Sequence, residues 1–361
     1  MINAFLIWHI SFMSFFFGPT ESQFIDTITF EFEYNQKTLR GLIEKPNSID
    51  PQALILIIPG YGATNFVHGG SYSTLRRHFV EAGLTVVVWD KMGCGDSEGT
   101  FDANQPVESS AEEALAAIAK LKEMDVPGSE KIGLWGVSRG GWICPLLIQQ
   151  YPIKFWISVS GVDDKENFGY LLRSNLIIHG RSEEEADRLH KAWLAGHKAF
   201  STKGSLESYL EAIKPLREDK MCQELFGYNP GGEITDEDRE SFRQEQKTFT
   251  SKGSFDEESG LWAYIEDFDQ LISAIQCPVL ALFGANDSQV DWRKTKRLYE
   301  HSLGQNQGNR LTTKVFENCN HNIQKCITCA WKEDLSSLQW QTCDGYYETM
   351  KDWLLKNNIV E

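Results

Sequence analysis

The stretch "GLWGVSRGGW", Gly133 to Trp142, constrains the fold of this chain more than any other. A short apolar run ends in Gly136-Val137-Ser138-Arg139-Gly140 and passes at once into a helical pattern, "GWICPLLIQQY". A strand that becomes a helix within so few residues must bend sharply, and glycines on both sides of a serine let the two elements approach closely. The serine is then raised above the end of its strand with its hydroxyl outward. The plainer alternative is a serine that caps an ordinary helix. The apolar strand in front of it favours the strained turn.

The remaining pattern supplies a sheet for that strand to belong to. "ALILIIPG" (Ala53 to Gly60) and "TVVVWD" (Thr85 to Asp90) are runs of Val, Ile and Leu without alternation. Strands covered on both faces of a parallel sheet look like this. "KIGLWG", "KFWISVSG", "PVLALFG" and "TTKVFEN" add further strands. "STLRRHFVEAG", a capped helix over Ser109 to Met124, "WRKTKRLYEHSL" and "YYETMKDWLLKN" have helical spacing. At the front, "TITFEFEYNQKTLRGLIEKP" alternates apolar and polar residues around a polar turn, which predicts a hairpin from Thr27 to Pro46. Strands alternating with helices predict an α/β fold, a mostly parallel central sheet with helices on both faces.

From Lys165 to Gln270 the strand signals largely vanish. "SEEEADRLHKAWLAGHKAF" opens with a capping box, Ser182 to Glu185, and "SLESYLEAIKPL", "TDEDRESFRQEQKTF" and "LWAYIEDFDQLISAI" are helical in pattern. The stretch holds 22 acidic and 14 basic residues, so it carries half of the formal net charge of −16. It reads as a solvated helical insertion at 165–270, between a first core part at 23–164 and a second at 271–361. Residues 1–22 are mostly apolar from Ile2 to Phe17 with no Lys or Arg, and read as a signal peptide or an uncleaved anchor. A misassigned start is the third reading. The expected location is periplasmic or secreted, with the cytoplasm as the alternative. No further membrane insertion is expected, and the acidic balance argues against nucleic-acid partners, which require basic patches.

A serine is a poor nucleophile at its ordinary pKa and requires a base, and the base requires an orienting group. On this kind of sheet the partners follow in the order serine, acid, histidine. Asp287 lies just beyond "PVLALFG", and His321 just beyond "TTKVFEN". Both loops leave carboxyl ends of parallel strands, the edge at which Ser138 stands. Asp163, Asp164 and Asp291 compete for the acid's place; among the eight histidines only His321 follows the last strand. Donors for a developing oxyanion are expected from the N–H of Arg139, next after the serine, and from the loop "GYGATN" at Tyr61 or Gly62. Trp193, Tyr209, Phe226, Trp262 and Tyr264 are the insertion's aromatic candidates for facing a substrate, against plain packing as the alternative. No His-Glu-x-x-His or clustered carboxylate set points to a catalytic metal.

Taken together, "LIIPGYGATN", "VVVWDKMGCGDSEG", "GLWGVSRGGW", "PVLALFGANDSQV" and "ENCNHN" resemble the serine-hydrolase branch of the α/β-hydrolase superfamily, nearest to bacterial esterases and peptidase-like hydrolases with a helical lid. The resemblance covers about Ile28 to Trp353 apart from the insertion. It implies ester or amide hydrolysis through an acyl-enzyme, with Ser138, Asp287 and His321 as triad, no cofactor, and a small-molecule ester as partner. It makes the glycine-rich "DKMGCGDSEG" a structural loop and the 165–270 insertion a lid. Two features depart from it. Pro59-Gly60 stands where many relatives carry His-Gly, and four cysteines, Cys319, Cys326, Cys329 and Cys343, follow or flank His321. Those cysteines are compatible with disulfides in any of three pairings, with free thiols, or with a zinc site.

Overall fold

The computed structural model describes residues 24–250, 252–304 and 310–361. The expectation for residues 1–22 falls outside them. The chain opens with β1 (Ile25–Tyr34) and β2 (Lys37–Pro46), paired antiparallel. Asn35 and Gln36 both take positive φ, 49° and 59°, which is the twist a two-residue hairpin turn demands. Phe30, Phe32 and Tyr34 alternate inward along β1, as the period-two pattern predicts.

The sheet then builds through β3 (Ala53–Ile58), α1 (Ser73–Glu81), β4 (Leu84–Trp89), α2 (Val107–Glu123), β5 (Ile132–Val137), α3 (Gly140–Gln150) and β6 (Phe155–Val159). The helix expected from Ser109 starts two residues earlier, behind Pro106, without a side-chain cap. Between β6 and the next sheet strand lie α4 (Phe168–Ile178), α5 (Glu183–Ser201), α6 (Leu206–Ala212), α7 (Lys214–Glu218), α8 (Lys220–Phe226) and α9 (Asp236–Thr250). A small hairpin follows, β7 (Ser254–Asp256) with β8 (Leu261–Ala263), and then α10 (Phe268–Ser273). The chain ends with β9 (Val279–Gly284), α11 (Trp292–Gly304), β10 (Leu311–Phe316) and α12 (Tyr346–Lys356).

Eight strands form one sheet in the order β1-β2-β4-β3-β5-β6-β9-β10. Every neighbouring pair from β4 to β10 is parallel, and only β2 runs against them, antiparallel to β1 on one side and to β4 on the other. Successive residues of β3 feed opposite faces. Leu54, Leu56 and Ile58 pack with α2, α3, α10 and α11, while Ile55 and Ile57 pack with α1 and α12. Strands buried on both sides explain why β3, β4 and β5 read as uninterrupted apolar runs. The capping box at Ser182 and Glu185 is present at the start of α5. The stretch expected as one helix, "LWAYIEDFDQLISAI", is divided. Its first residues form β8, and its last form α10, whose Phe268, Leu271 and Ile272 join the main core beside α3 and α11. Helices α4 to α9 instead share a core of their own, with Leu176, Leu189, Phe200, Leu216 and Phe242 at its centre.

Candidate active site

Ser138 directly follows β5 with φ of 53°, in the left-handed region that side-chain-bearing residues rarely occupy. Its N–H donates to the Val159 carbonyl at 3.0 Å, and its own carbonyl accepts from the Gly141 N–H at 2.7 Å. The first bond ties the bend to β6, and the second turns the chain into α3. The sharp strand-to-helix turn predicted around this serine is therefore present, held by backbone bonds on both sides.

His321 lies beyond β10, and its carbonyl accepts a hydrogen bond from Ser160 Oγ at 2.6 Å. Ser160 directly follows β6, so the same strand end that receives the Ser138 amide also holds the histidine loop. The imidazole Nδ1 is 2.7 Å from Asp287 Oδ2, with both side chains almost fully buried. Asp287 Oδ1 accepts from the N–H groups of Gln289 and Val290 at 2.8 and 3.0 Å. A carboxylate fixed by two backbone donors has one orientation, and it imposes one on the ring it faces. With Nδ1 turned to the carboxylate, Nε2 is on the far side of the ring.

The loops of the acid and the histidine are packed into one unit. Gly284, last residue of β9, has no room for a side chain: a Cβ there would lie 2.2 Å from the Asn320 carbonyl oxygen. The Asn286 N–H donates to the Cys319 carbonyl at 3.0 Å. From α4, Tyr170 Oη donates to the Asp287 carbonyl at 3.0 Å, and Ser174 and Asn175 both donate to the Ser288 carbonyl. The competing acids are engaged elsewhere. Lys294 Nζ is 2.7 Å from Asp163 and 3.2 Å from Asp164, and Asp291 accepts from the Lys294 N–H at the start of α11.

Around the serine, Gly60 lies so close that a Cβ on it would stand 3.2 Å from the Ser138 Cβ. Arg139 heads α3, where backbone N–H groups lack intrahelical acceptors. Its buried guanidinium donates to Ser110 Oγ and to the Gln105 carbonyl, and lies 5.3 Å from the Tyr61 ring centre. The Tyr61 hydroxyl is 3.5 Å from that of Tyr264, and Gly62 has φ of 96°. One member of this neighbourhood was missed by sequence reasoning. Lys91, inside the loop read as merely structural, donates from Nζ to the carbonyls of Gly60 at 2.6 Å and Gly62 at 2.9 Å. A cation placed immediately after an apolar strand, at the same sheet edge as Gly60, was the available signal.

Of the five aromatic candidates, Tyr264 reaches this neighbourhood, its ring tilted against Trp142 at 4.8 Å besides its hydroxyl meeting Tyr61, and Phe168 also packs 6.1 Å from the Tyr61 ring. Tyr209, Phe226 and Trp262 are buried within the helical layer, and Trp193 stacks on His197. Plain packing accounts for those four, because α4 to α9 need their own apolar centre. The four C-terminal cysteines form two disulfides, Cys319–Cys343 and Cys326–Cys329. The first closes the segment that carries His321.

A family model described as the alpha/beta hydrolase fold matches residues 53–325. The chain belongs to the α/β-hydrolase family. Among solved structures, this α/β hydrolase superposes on the Pyrococcus furiosus esterase Pf2001 with a TM-score of 0.51 at 12% identity, over 92% of this chain and 93% of that one. Proline iminopeptidase of Mycobacterium smegmatis gives 0.51 at 13% identity, over 92% and 99%. Est1E of Butyrivibrio proteoclasticus, in complex with ferulic acid, gives 0.50 at 14%, over 91% and 99%. In sequence, the acyltransferase drtE of Aspergillus calidoustus is 24% identical over 170 residues, 44% of this chain. That match takes in 52% of drtE, so the chain spans about half the length of the curated relative.

Proposed function

We propose that the protein is a serine hydrolase that cleaves small carboxylic esters, lactones included, through an acyl-enzyme. The buried contact between His321 Nδ1 and Asp287 Oδ2, 2.7 Å long and at the same strand ends as the Ser138 bend, is the observation that carries this reading. In the first half-reaction Ser138 Oγ attacks the carbonyl carbon while His321 Nε2 takes the hydroxyl proton. Asp287 holds the imidazole by its Nδ1–H and stabilises the cation that forms. The oxyanion develops toward the N–H of Arg139 and toward the loop donors at Tyr61 and Gly62. The imidazolium then protonates the departing alcohol, and water repeats the sequence on the acyl-enzyme.

The insertion at 165–270 acts as a lid over this edge, and the contacts of Tyr170, Ser174, Asn175 and Tyr264 support that role. The two disulfides support an exported protein, since such bonds persist in oxidising compartments. The same acyl-enzyme serves amide hydrolysis, or acyl transfer where an alcohol replaces water. The test is fluorophosphonate labelling of the wild type, Ser138→Ala and His321→Ala, alongside panels of neutral esters and of peptides. Labelling of the wild type is expected, with none in Ser138→Ala and turnover falling at least about 10⁴-fold in each variant. Wild-type turnover in Ser138→Ala would remove the nucleophile. Peptide cleavage ahead of ester cleavage would move the substrate class to amides.

A further inference from the structure

We infer that Lys91 is a positioning residue for catalysis, whose ammonium pins the Gly60–Tyr61 and Gly62–Ala63 peptide planes on either side of the Tyr61–Gly62 amide and so aims the Tyr61 N–H that receives the oxyanion. The inference rests on the acyl-enzyme reading above and assigns the part of the site that no side chain on the serine's own elements supplies.

The argument begins with the peptide group. In a trans peptide the C=O and N–H point to opposite sides of one rigid plane, and no cis peptide occurs among the described residues. Lys91 Nζ takes the Gly60 carbonyl at 2.6 Å, so the N–H of Tyr61, in the same plane, points away from the ammonium. The bond to the Gly62 carbonyl at 2.9 Å does the same for the N–H of Ala63. One side chain thereby fixes the two planes that flank the Tyr61–Gly62 amide, in a loop whose Gly60 and Gly62 offer little conformational resistance of their own. The lysine is itself anchored to that loop, because its N–H donates to Thr64 Oγ1 at 2.9 Å. The neighbouring Asp90 accepts from the Phe66 N–H at 2.5 Å and holds the loop's far end.

A merely structural role would not require a charge. Two buried carbonyls are satisfied equally well by neutral donors, and burying a cation is expensive. Burial lowers the Lys91 amine to about 7, with Arg139 adding to the effect and Cys94 and Glu113 opposing it. Those three are the ionisable groups that face it from the elbow, its own loop and α2. The Trp89 indole already donates to Glu113 Oε1. What the charge adds is polarisation: a cation on a carbonyl oxygen makes the N–H of the same amide a stronger donor. It also places positive potential behind a site where negative charge develops, which counts most where water is excluded.

The experiment compares wild type, Lys91→Met and Lys91→Gln with a neutral aryl ester as substrate and a trifluoromethyl ketone as tetrahedral analogue. Lys91→Met should lower kcat about 100-fold, with KM within about threefold, because the lost interaction belongs to the transition state. Affinity for the ketone should fall by a similar factor. Lys91→Gln keeps two N–H donors without the charge. It is expected between the two, and it carries the test alone if Lys91→Met does not fold. In the wild type kcat should decline as pH rises through about 7, and that limb should be absent from Lys91→Gln. Unchanged kcat in Lys91→Gln, or reduced kcat with undiminished ketone affinity, would overturn the inference and leave Ser138 as nucleophile. Failure of the wild type to react with fluorophosphonate would overturn both.

Discussion

At the scale of single residues, Asp287 combines the smallest possible change of shape with the largest expected chemical effect. Asp287→Asn keeps the volume, but one carboxylate oxygen becomes an NH2 group that cannot accept from the imidazole. If that NH2 faces Nδ1, the ring must carry its proton on Nε2, the nitrogen that takes the Ser138 proton in the proposed mechanism. Turnover should drop about 10⁴-fold with little change in KM. Steady-state kinetics on Asp287→Asn and Asp163→Asn decide the matter, and loss of activity in the second alone would transfer the acid's role. The residues of this constellation were legible in the sequence because each follows a recognisable strand, and strand ends in a parallel sheet share an edge. Lys91 was not legible in that way. Its partners are backbone carbonyls, which no pattern of side chains reveals, and the same holds for the bond from Ser160 to the His321 carbonyl.

Between elements, the helical insertion holds a buried acid against a buried histidine. Glu166, just before α4, and His197 on α5 lie 3.3 Å apart with almost no exposure. Burial raises the Glu166 carboxyl from 4.5 to about 8 and lowers the His197 imidazole from 6.5 to about 4. At neutral pH they therefore face each other as a neutral acid and a neutral ring. The consequences for stability have opposite signs. Between 4.5 and about 8 the folded chain keeps a proton on Glu166 that the unfolded chain has released, so this group's contribution declines as pH rises. Between about 4 and 6.5 the unfolded chain binds a proton at His197 that the folded one refuses, so that contribution grows with pH. They oppose each other up to about 6.5, and only the Glu166 slope is left from there to about 8. Thermal unfolding of wild type and Glu166→Gln across this window should show a falling Tm in the wild type relative to the variant. Parallel curves would mean that Glu166 is already ionised at pH 6.5. Neither partner stood out in the sequence, since both lie in a stretch dense with charge. The division of "LWAYIEDFDQLISAI" into a strand and a helix was hidden for a related reason: short apolar runs fit both periods, and the choice falls to the surfaces available for packing.

For the molecule as a whole, charge is the dominant long-range property. A formal net charge of −16, half of it in 165–270, bears on the strand-end edge where the substrate is proposed to bind. An anionic substrate therefore approaches uphill. At about 0.01 M ionic strength the screening length is about 30 Å, and at about 1 M it is about 3 Å. A neutral ester and its carboxylate-bearing analogue should differ in kcat/KM at low salt, with the neutral one favoured, and the ratio should move toward unity as salt is added. Equal values at low salt would remove the electrostatic argument. The order of the strands, by contrast, bears on ancestry. The chain leaves the sheet at β6 and rejoins it at β9, yet these two strands are already paired with each other, Trp156 beside Val279. Everything from α4 to β8 is thus an excursion that the sheet does not need in order to close its register. Such an excursion can be lengthened, shortened or exchanged between related proteins while the serine, acid and histidine stay where they are. The proposed substrate-facing helices and the proposed bond-breaking residues are thus separable parts of one chain, the first free to vary without moving the second.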